Sequence, residues 1–276
     1  MTRDSQRVVL ITGCSSGIGR ALAEEFLNRG YRVTATARRP ESLADLAGDR
    51  CLILPLDVTD GETIDRAVAE TLEWAGRIDI LVNNAGYALV GPMAEISLED
   101  LHRQFETNVV GAVAAIQAVV PHMAEKGRGC IVNIGSVSSL LATPYGGAYS
   151  ASKAALHLLS DALRPEVAPF GIHVVVVRAG GVATNFPEAA GRGLERYHDP
   201  SSLYHDKVGS MEERAEMSKN LSMPAADFAR RTVDAVTRKN PPSMLKIGGG
   251  ARIVPAMAML PKKLLARVLG KKFGLR

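Results

Sequence analysis

Short apolar runs separated by longer stretches of helical period organise the chain. The runs fall at residues 8–11, 31–35, 52–54, 78–82, 131–134 and 173–177. They are largely β-branched or apolar, and each is short enough for a parallel strand buried within a sheet. Between them, residues 17–29, 41–47, 61–75, 97–124 and 149–168 carry the three-and-four spacing of amphipathic helices, and a helix at 225–238 and a strand at 244–247 close the series. Strand and helix alternate, which predicts βαβ units. The expected architecture is a single doubly wound α/β domain, a parallel sheet of about seven strands with helices on both faces.

Residues 182–224 interrupt this rhythm. They are polar, contain glycine and show little period, so they read as a long loop of the kind that serves as a lid or binding segment. Neither an internal repeat nor a Gly/Ser or Pro linker divides the chain, so residues 1–250 read as one domain that includes this loop, followed by an extension at 251–276.

Charge alters the picture only at that end. The formal net charge is +4, yet 251–276 holds Arg252, Lys262, Lys263, Arg267, Lys271, Lys272 and Arg276 and no acidic residue, which leaves the first 250 residues at −3. The body therefore lacks the electrostatic footprint of a nucleic-acid binder. Residues 262–273 put Leu264, Leu265, Val268, Leu269 and Phe273 on one helical face and Lys262, Lys263, Arg267 and Lys271 on the other. Two readings compete: the apolar face covers the body or a contact between copies, or the helix lies peripherally on an anionic lipid surface. Packing against the body is the favoured one.

Three cysteines, Cys14, Cys51 and Cys130, have neither paired nor metal-ligand spacing, so no disulfide framework and no metal site are expected. The first residues lack the apolar stretch of a signal peptide, and no run of roughly 18 uncharged apolar residues is apparent. A cytoplasmic location, or one at the surface of a membrane, is the expectation.

The first strand runs directly into Thr12-Gly13-Cys14-Ser15-Ser16-Gly17-Ile18-Gly19, and a helix follows. Glycines between a strand and a helix can be only a tight connection. They also let a pyrophosphate reach the amides of the helix N-terminus. At the end of the second strand, where an acidic residue would hold a ribose 2′-hydroxyl, the chain has Thr36-Ala37-Arg38-Arg39. Guanidinium groups bind phosphate in a fork, so NADP(H) is expected in preference to NAD(H), against the alternative of two solvated arginines.

In order along the chain then come Asp57-Val58, Asn83-Asn84-Ala85-Gly86, Asn108, Ser136 thirteen residues before Tyr149, and Tyr149-Ser150-Ala151-Ser152-Lys153. With the glycine loop, this ordered set resembles the short-chain dehydrogenase/reductase family over roughly residues 7–184. The resemblance implies a Rossmann-type fold, a catalytic tetrad of Asn108, Ser136, Tyr149 and Lys153, and a nicotinamide site. Gly13, Ser15, Ser16, Gly17, Ile18, Gly19, Arg38, Asp57, Asn84, Val182 and Thr184, together with Tyr149 and Lys153, are its implied cofactor contacts. The wording NNAGYALVGPMAEIS and the ending KKFGL are most similar to the NADP-preferring branch of 17β-hydroxysteroid dehydrogenase-like, retinal-reducing and 1-acyldihydroxyacetone-phosphate-reducing enzymes. That likeness implies a lipophilic carbonyl or alcohol substrate; a homo-oligomer is a further expectation, since the apolar face of the tail could form a contact between copies. One position departs from the pattern: Ala179 stands where the family carries proline, which frees φ, adds an N–H and predicts a looser nicotinamide loop.

Carbonyl reduction needs a hydride on carbon and a proton on oxygen, and the protein must supply the proton. Residues four apart share a helix face, so Tyr149 and Lys153 are neighbours. An ammonium about 4 Å from a phenol favours phenolate by up to ~4 kcal/mol at an effective dielectric of about 20, so a lowered Tyr149 pKa is expected. Ser136 would hold the carbonyl beside the phenol. By resemblance, Asn108 anchors a water that links Lys153 to solvent. Taken alone, Tyr149 and Lys153 could be a half-buried ring beside a snorkelling lysine, Asn108 a helix contact and Asp57 a turn residue. The reading from another class is a cofactor-sensing binding protein that kept the fold and lost turnover.

Overall fold

A computed structural model describes residues 7–219 and 222–275. The charged segment before Arg7, residues 220–221 of the expected loop and the basic Arg276 lie outside the described residues. The core elements are β1 (Val8–Ile11), α1 (Gly17–Asn28), β2 (Arg32–Ala37), β3 (Cys51–Pro55), α2 (Gly61–Ala75), β4 (Ile80–Asn83), α3 (Leu98–Phe105), α4 (Gly111–Glu125), β5 (Gly129–Ser136), α5 (Gly147–Val167) and β6 (Ile172–Ala179). β7 (Val182–Ala183), α6 (Phe186–Ala190), α7 (Val208–Glu216), β8 (Met223–Pro224), α8 (Ala225–Val236), β9 (Met244–Ile247), α9 (Ile253–Ala258) and α10 (Lys262–Lys272) complete the order.

The main sheet has seven parallel strands in the order β3-β2-β1-β4-β5-β6-β9, as expected. Successive strand residues feed opposite layers, which is why the strands read as unbroken apolar runs. Val9, Ile11, Val82, Val132 and Val175 pack with Leu22 and Phe26 of α1 and Phe228 and Val233 of α8. Leu10, Leu81, Ile131 and Val174 pack with Ile64 and Val68 of α2 and Ile116, Val119 and Met123 of α4. The chain leaves β1 toward β2 and β3, then crosses back to β4 on the other side, so a crevice opens at the carboxyl ends of β1 and β4.

Several predicted elements change. Residues 41–47 form a 3₁₀ turn at Pro40–Leu46. The helix expected at 97–124 is α3 and α4 joined by a π turn at Glu106–Val110. So joined, Leu98–Glu125 is long and apolar enough by composition to cross a membrane, which the sequence reading did not anticipate. Its buried stripe of Ala112, Ala115, Ile116, Val119 and Met123 faces the sheet, as that of a core helix does.

The largest correction concerns 182–224, which holds α6, α7, two 3₁₀ turns and the small β7-β8 pair. Its helices have only five and nine residues, too short for a clear period. They nonetheless bury Ala190, Leu194, Tyr197, Val208 and Met211 in a third apolar cluster over the carboxyl ends of the strands. The C-terminal helix joins that cluster through Leu269 and Phe273, both buried, while Leu264 and Val268 are exposed.

Candidate active site

The crevice begins with the glycine loop. Gly13 and Gly17 have left-handed φ of 72° and 62°, which glycine adopts without strain. Ser16 caps α1 in extended geometry, but its side chain makes no cap bond, and Ser15 and Ser16 are exposed. Orphan amides and free hydroxyls therefore front the crevice. A Cβ on Gly19 would lie 2.3 Å from both Asn84 Nδ2 and the Gly13 carbonyl oxygen, which fixes that glycine by close packing. Ile18 is half-buried against the sheet-and-α1 layer.

Two residues hold the loop to β4. Thr12 Oγ1 accepts from the Asn84 and Ala85 amides, each at 3.0 Å, and Asn84 Nδ2 donates to the carbonyls of Thr12 and Gly13, each at 2.9 Å. Asn84, expected as a cofactor contact, thus also acts as the brace of the glycine loop. Asp57 Oδ1 accepts from the Thr59 amide and hydroxyl, so that oxygen belongs to a turn and the other is left for a ligand. Arg38 is exposed at the end of β2, and among the described residues no carboxylate pairs with it. A loop of free amides with a guanidinium beside it fits the phosphates of a nicotinamide dinucleotide.

The tetrad residues converge from three elements. Ser136 ends β5, Tyr149 and Lys153 stand one turn apart on α5, and Asn108 projects from the π turn; all four are buried. The Ser136 side chain acts on the Tyr149 phenol, and its Oγ accepts from the Ser138 amide at 3.1 Å. Lys153 Nζ donates to the Ile134 carbonyl at 2.8 Å. A Cβ on Gly86 would lie 2.9 Å from Asn108 Oδ1 and 3.6 Å from Lys153 Nζ, so lysine and asparagine flank that glycine. Thr184 rests on Gly17, Val182 is buried beneath it, and Phe186 tilts against the Tyr149 ring at 5.7 Å.

Residues 7–194 match the family model described as short chain dehydrogenase. The chain belongs to the short-chain dehydrogenase/reductase family. It is 31% identical to the 3-ketodihydrosphingosine reductase of Bacteroides thetaiotaomicron over 98% of this chain and 99% of that protein. It is 28% identical to the NADPH-dependent 3-dehydrocapnine reductase of Ornithobacterium rhinotracheale over 96% of each. A short-chain dehydrogenase structure from Streptomyces avermitilis superposes with a TM-score of 0.82 at 36% identity, over 98% of both chains.

In this short-chain dehydrogenase the electrostatics differ from the expectation at Tyr149. Its pKa is raised, because burial outweighs the Ser136 hydrogen bond and the field of the Arg214 guanidinium, both of which lower it. Lys153 is itself pushed down to about 8 by burial, which weakens it as the phenol's counter-charge. The Asn108 side chain is held by its neighbours. Its Oδ1 accepts from the Tyr87 amide, and its Nδ2 donates to the Tyr87 carbonyl and to Ser152 Oγ, so the side chain clamps the β4–α3 connection. Nor is the loop after Ala179 loose. Ala179 pairs with Ile247 of β9, Gly180 donates to the Ile247 carbonyl at 2.8 Å, and Gly181 and Gly249 exchange two bonds of 2.8 and 2.9 Å.

Three neighbours escaped the sequence reading. Arg214 of α7 faces Tyr149, Asn133 bridges Asn83 and Ser160 beneath the site, and His157 continues the Tyr149-Lys153 face by one more turn. A polar residue inside an apolar strand, as in IVNIG, was the available signal for Asn133. His157 Nδ1 lies 3.0 Å from Ser139 Oγ, which donates to the Ser136 carbonyl. Burial, with the charges of Arg178 and Lys153, pushes His157 down to about 4.

The unfolded chain therefore binds a proton that the folded one refuses between about pH 6.5 and 4. Stability falls as pH drops through that window, by roughly 3 kcal/mol from this residue. His157→Gln is expected to flatten the dependence of the urea midpoint between pH 7 and 4.5; an unchanged slope would assign the effect elsewhere.

Proposed function

We propose that this short-chain dehydrogenase is an NADP(H)-dependent oxidoreductase that interconverts a lipophilic ketone or aldehyde and its alcohol. The observation that carries this reading is the convergence of Ser136, Tyr149 and Lys153 at the strand ends beside the glycine loop. Gly13, Ser15, Ser16, Gly17 and Gly19 would hold the pyrophosphate, Arg38 a 2′-phosphate, Asp57 the adenine end, and Val182 and Thr184 the nicotinamide carboxamide. When bound, that cofactor supplies the hydride. Ser136 Oγ and Tyr149 Oη hold the carbonyl oxygen, and the phenol delivers its proton as the carbon–oxygen π pair moves onto oxygen. Lys153 returns a proton to the phenolate. A Tyr149 pKa raised by burial keeps the acid form available near neutral pH.

A lipophilic substrate is supported by the third apolar cluster, in which Tyr149 is grouped with Ala88, Val90, Leu141 and Tyr145 and packs against Phe186. The relatives named as reductases of 3-keto and 3-dehydro compounds, one of them NADPH-dependent, support the direction and the cofactor. These features accord with the steroid-, retinal- and acyldihydroxyacetone-phosphate-reducing branch as a guide to substrates. A groove of about 460 Å³ lies elsewhere, between α4 and α5, where exposed Leu159 suits a second copy of the chain. Three buried free thiols suit a reducing, cytoplasmic setting.

The decisive assay is cofactor consumption with a panel of long-chain ketones, steroids, retinal and short ketones. NADPH is expected to be oxidised in preference to NADH, and Arg38→Asp to reverse the preference by about tenfold or more, since it replaces a phosphate ligand with a ribose-hydroxyl acceptor. Tight NADPH binding without turnover on any carbonyl would favour the cofactor-sensing alternative.

The tail supports peripheral membrane contact. Lys262, Lys263, Leu264, Arg267, Val268 and Lys271 are exposed while Leu269 and Phe273 are buried against the body. The wild-type protein is expected to co-sediment with vesicles rich in phosphatidylserine and not with neutral vesicles. Lys262→Glu with Lys263→Glu and Arg267→Glu is expected to cut that partitioning at least tenfold, given about 1 kcal/mol per cation near the surface. Equal sedimentation of the triple variant would refute the contact.

A further inference from the structure

Arg214 is the side chain that the proposed chemistry leaves without a purpose. It sits on α7, in the segment that folds over the strand ends, and only 8% of it is exposed. Its Nε donates to Thr143 Oγ1. Among the described residues no carboxylate lies within ion-pair distance of it: Glu212 on the same helix is exposed, and most other acids of the segment pair with lysines. Glu188 and Glu216 pair with Lys219, Asp206 pairs with Lys207, and Glu213 lies 4.0 Å from Lys272. A guanidinium removed from water with one neutral partner is costly, and such a charge is ordinarily matched.

Its position makes the imbalance greater. A Cβ on Gly146 would lie 2.5 Å from Arg214 Nη2 and 2.7 Å from Nε, so the guanidinium rests on the backbone of Gly146. Gly146 is the N-cap of the 21-residue α5, and no side chain caps that end. The cation therefore sits at the positive end of a helix dipole, where its self-energy is worst and an anion's is best. Both features call for the same missing partner. Tyr149 lies on the first turn of that helix, so the backbone that rests on Arg214 and the backbone that carries the phenol are within about one turn of each other. The two side chains are close enough for each charge to act on the other.

We propose that Arg214, together with the amides that open α5, binds an oxyanion that the substrate carries within a few bonds of its carbonyl. The proposal rests on the carbonyl-reductase reading for where the carbonyl lies, and it narrows the substrate class to lipophilic ketones bearing a phosphate, phosphonate, sulfonate or carboxylate. Arg214 is a specificity residue on this account. It binds the head of the substrate and takes no part in the proton transfer. Gly146 serves the same site, because the absence of a side chain there lets the guanidinium close on the helix end.

The test uses the full chain with NADPH and two matched pairs: a 2-oxoalkylphosphonate against its uncharged diester, and a 3-oxoalkanoate against its methyl ester. The wild type is expected to favour one or both acids over their esters in kcat/KM by about ten- to a hundredfold, the factor a charge-assisted hydrogen bond gives. The pair with the larger ratio names the oxyanion. Arg214→Gln is expected to bring the ratio close to one, Arg214→Lys to keep part of it, and Gly146→Ala, which displaces the guanidinium without removing it, to behave like Arg214→Gln. A wild-type ratio near one, or a ratio that survives Arg214→Gln, overturns the proposal.

Calorimetric titration of butylphosphonate into the NADP⁺-bound protein reads the site without turnover. Saturable binding that Arg214→Gln abolishes supports the anion site even if neither ketone is reduced, in which case the reductase reading is the one that fails. Reduction of both members of each pair at equal rates leaves that reading standing and removes the anion site.

Discussion

Tyr149→Phe is expected to slow carbonyl reduction by about 10²–10⁴-fold, the range that a positioned general acid supplies, and to leave NADPH binding within a few-fold of wild type. The substitution deletes one hydroxyl from a ring that is 8% exposed and packs on Phe186 at 5.7 Å, so the ring and its contacts remain. Only the interaction of the phenol with Ser136 is lost, and burial had already made the charged form of the phenol unfavourable. Stability should therefore change by no more than about 1 kcal/mol. The check is single-turnover NADPH oxidation alongside cofactor titration and thermal melting. Retention of more than a tenth of the wild-type rate would remove Tyr149 from the role of proton donor. A comparable loss of cofactor affinity would show instead that the ring positions the nicotinamide.

This prediction uses a pair that stands in plain view in YSASK, whereas the electrostatics around it could not be read there. Spacing alone puts Tyr149 and Lys153 on one face of α5. It does not disclose that both are buried, that Lys153 is tied to the Ile134 carbonyl, or that Arg214 arrives sixty-five residues later from the segment above. Burial is a property of the assembled fold, and here it reverses the expected sign of the Tyr149 shift. The sheet was readable for the converse reason. A parallel strand buried on both faces must be apolar at consecutive positions, and Val8–Ile11 and the run within Ile172–Ala179 satisfy that locally.

The strand ends were less readable, because Gly129, Gly135 and Ser136 extend β5 through register with β6 and not through their own preferences. The π turn that carries Asn108 has no signature in the sequence, and it clamps Tyr87 through contacts twenty-one residues apart. Least readable was the segment after Ala183. In MEERAEM, Met211 and Ala215 are buried beside charged neighbours, and a lone arginine among glutamates looks like a solvated face. Its burial becomes visible only when α10 and the β5–α5 connection close around it.

Gly19→Ala is expected to weaken NADPH binding by at least about a hundredfold and to cost roughly 1–3 kcal/mol of stability, although it adds a single methyl group to a helix where alanine is ordinarily preferred. That methyl would stand 2.3 Å from Asn84 Nδ2 and 2.3 Å from the Gly13 carbonyl oxygen. The second contact is with backbone, so no side-chain rotation relieves it. The Gly13 turn must move, and Asn84 must also shift, which breaks or strains its two bonds to the Thr12 and Gly13 carbonyls. Gly13 has little room to yield, since a Cβ there would already be 2.9 Å from Ala85 Cα. The displacement falls on the amides that would receive the pyrophosphate. Gly61→Ala supplies the control: Gly61 opens α2 and has nothing within 4 Å of the added methyl, so stability should hold or rise slightly. Cofactor titration and thermal melts of the two variants side by side separate a general effect of replacing glycine from the packing at Gly19. Equal behaviour of the two would mean that the loop is not the rigid cradle that its contacts with Asn84 describe.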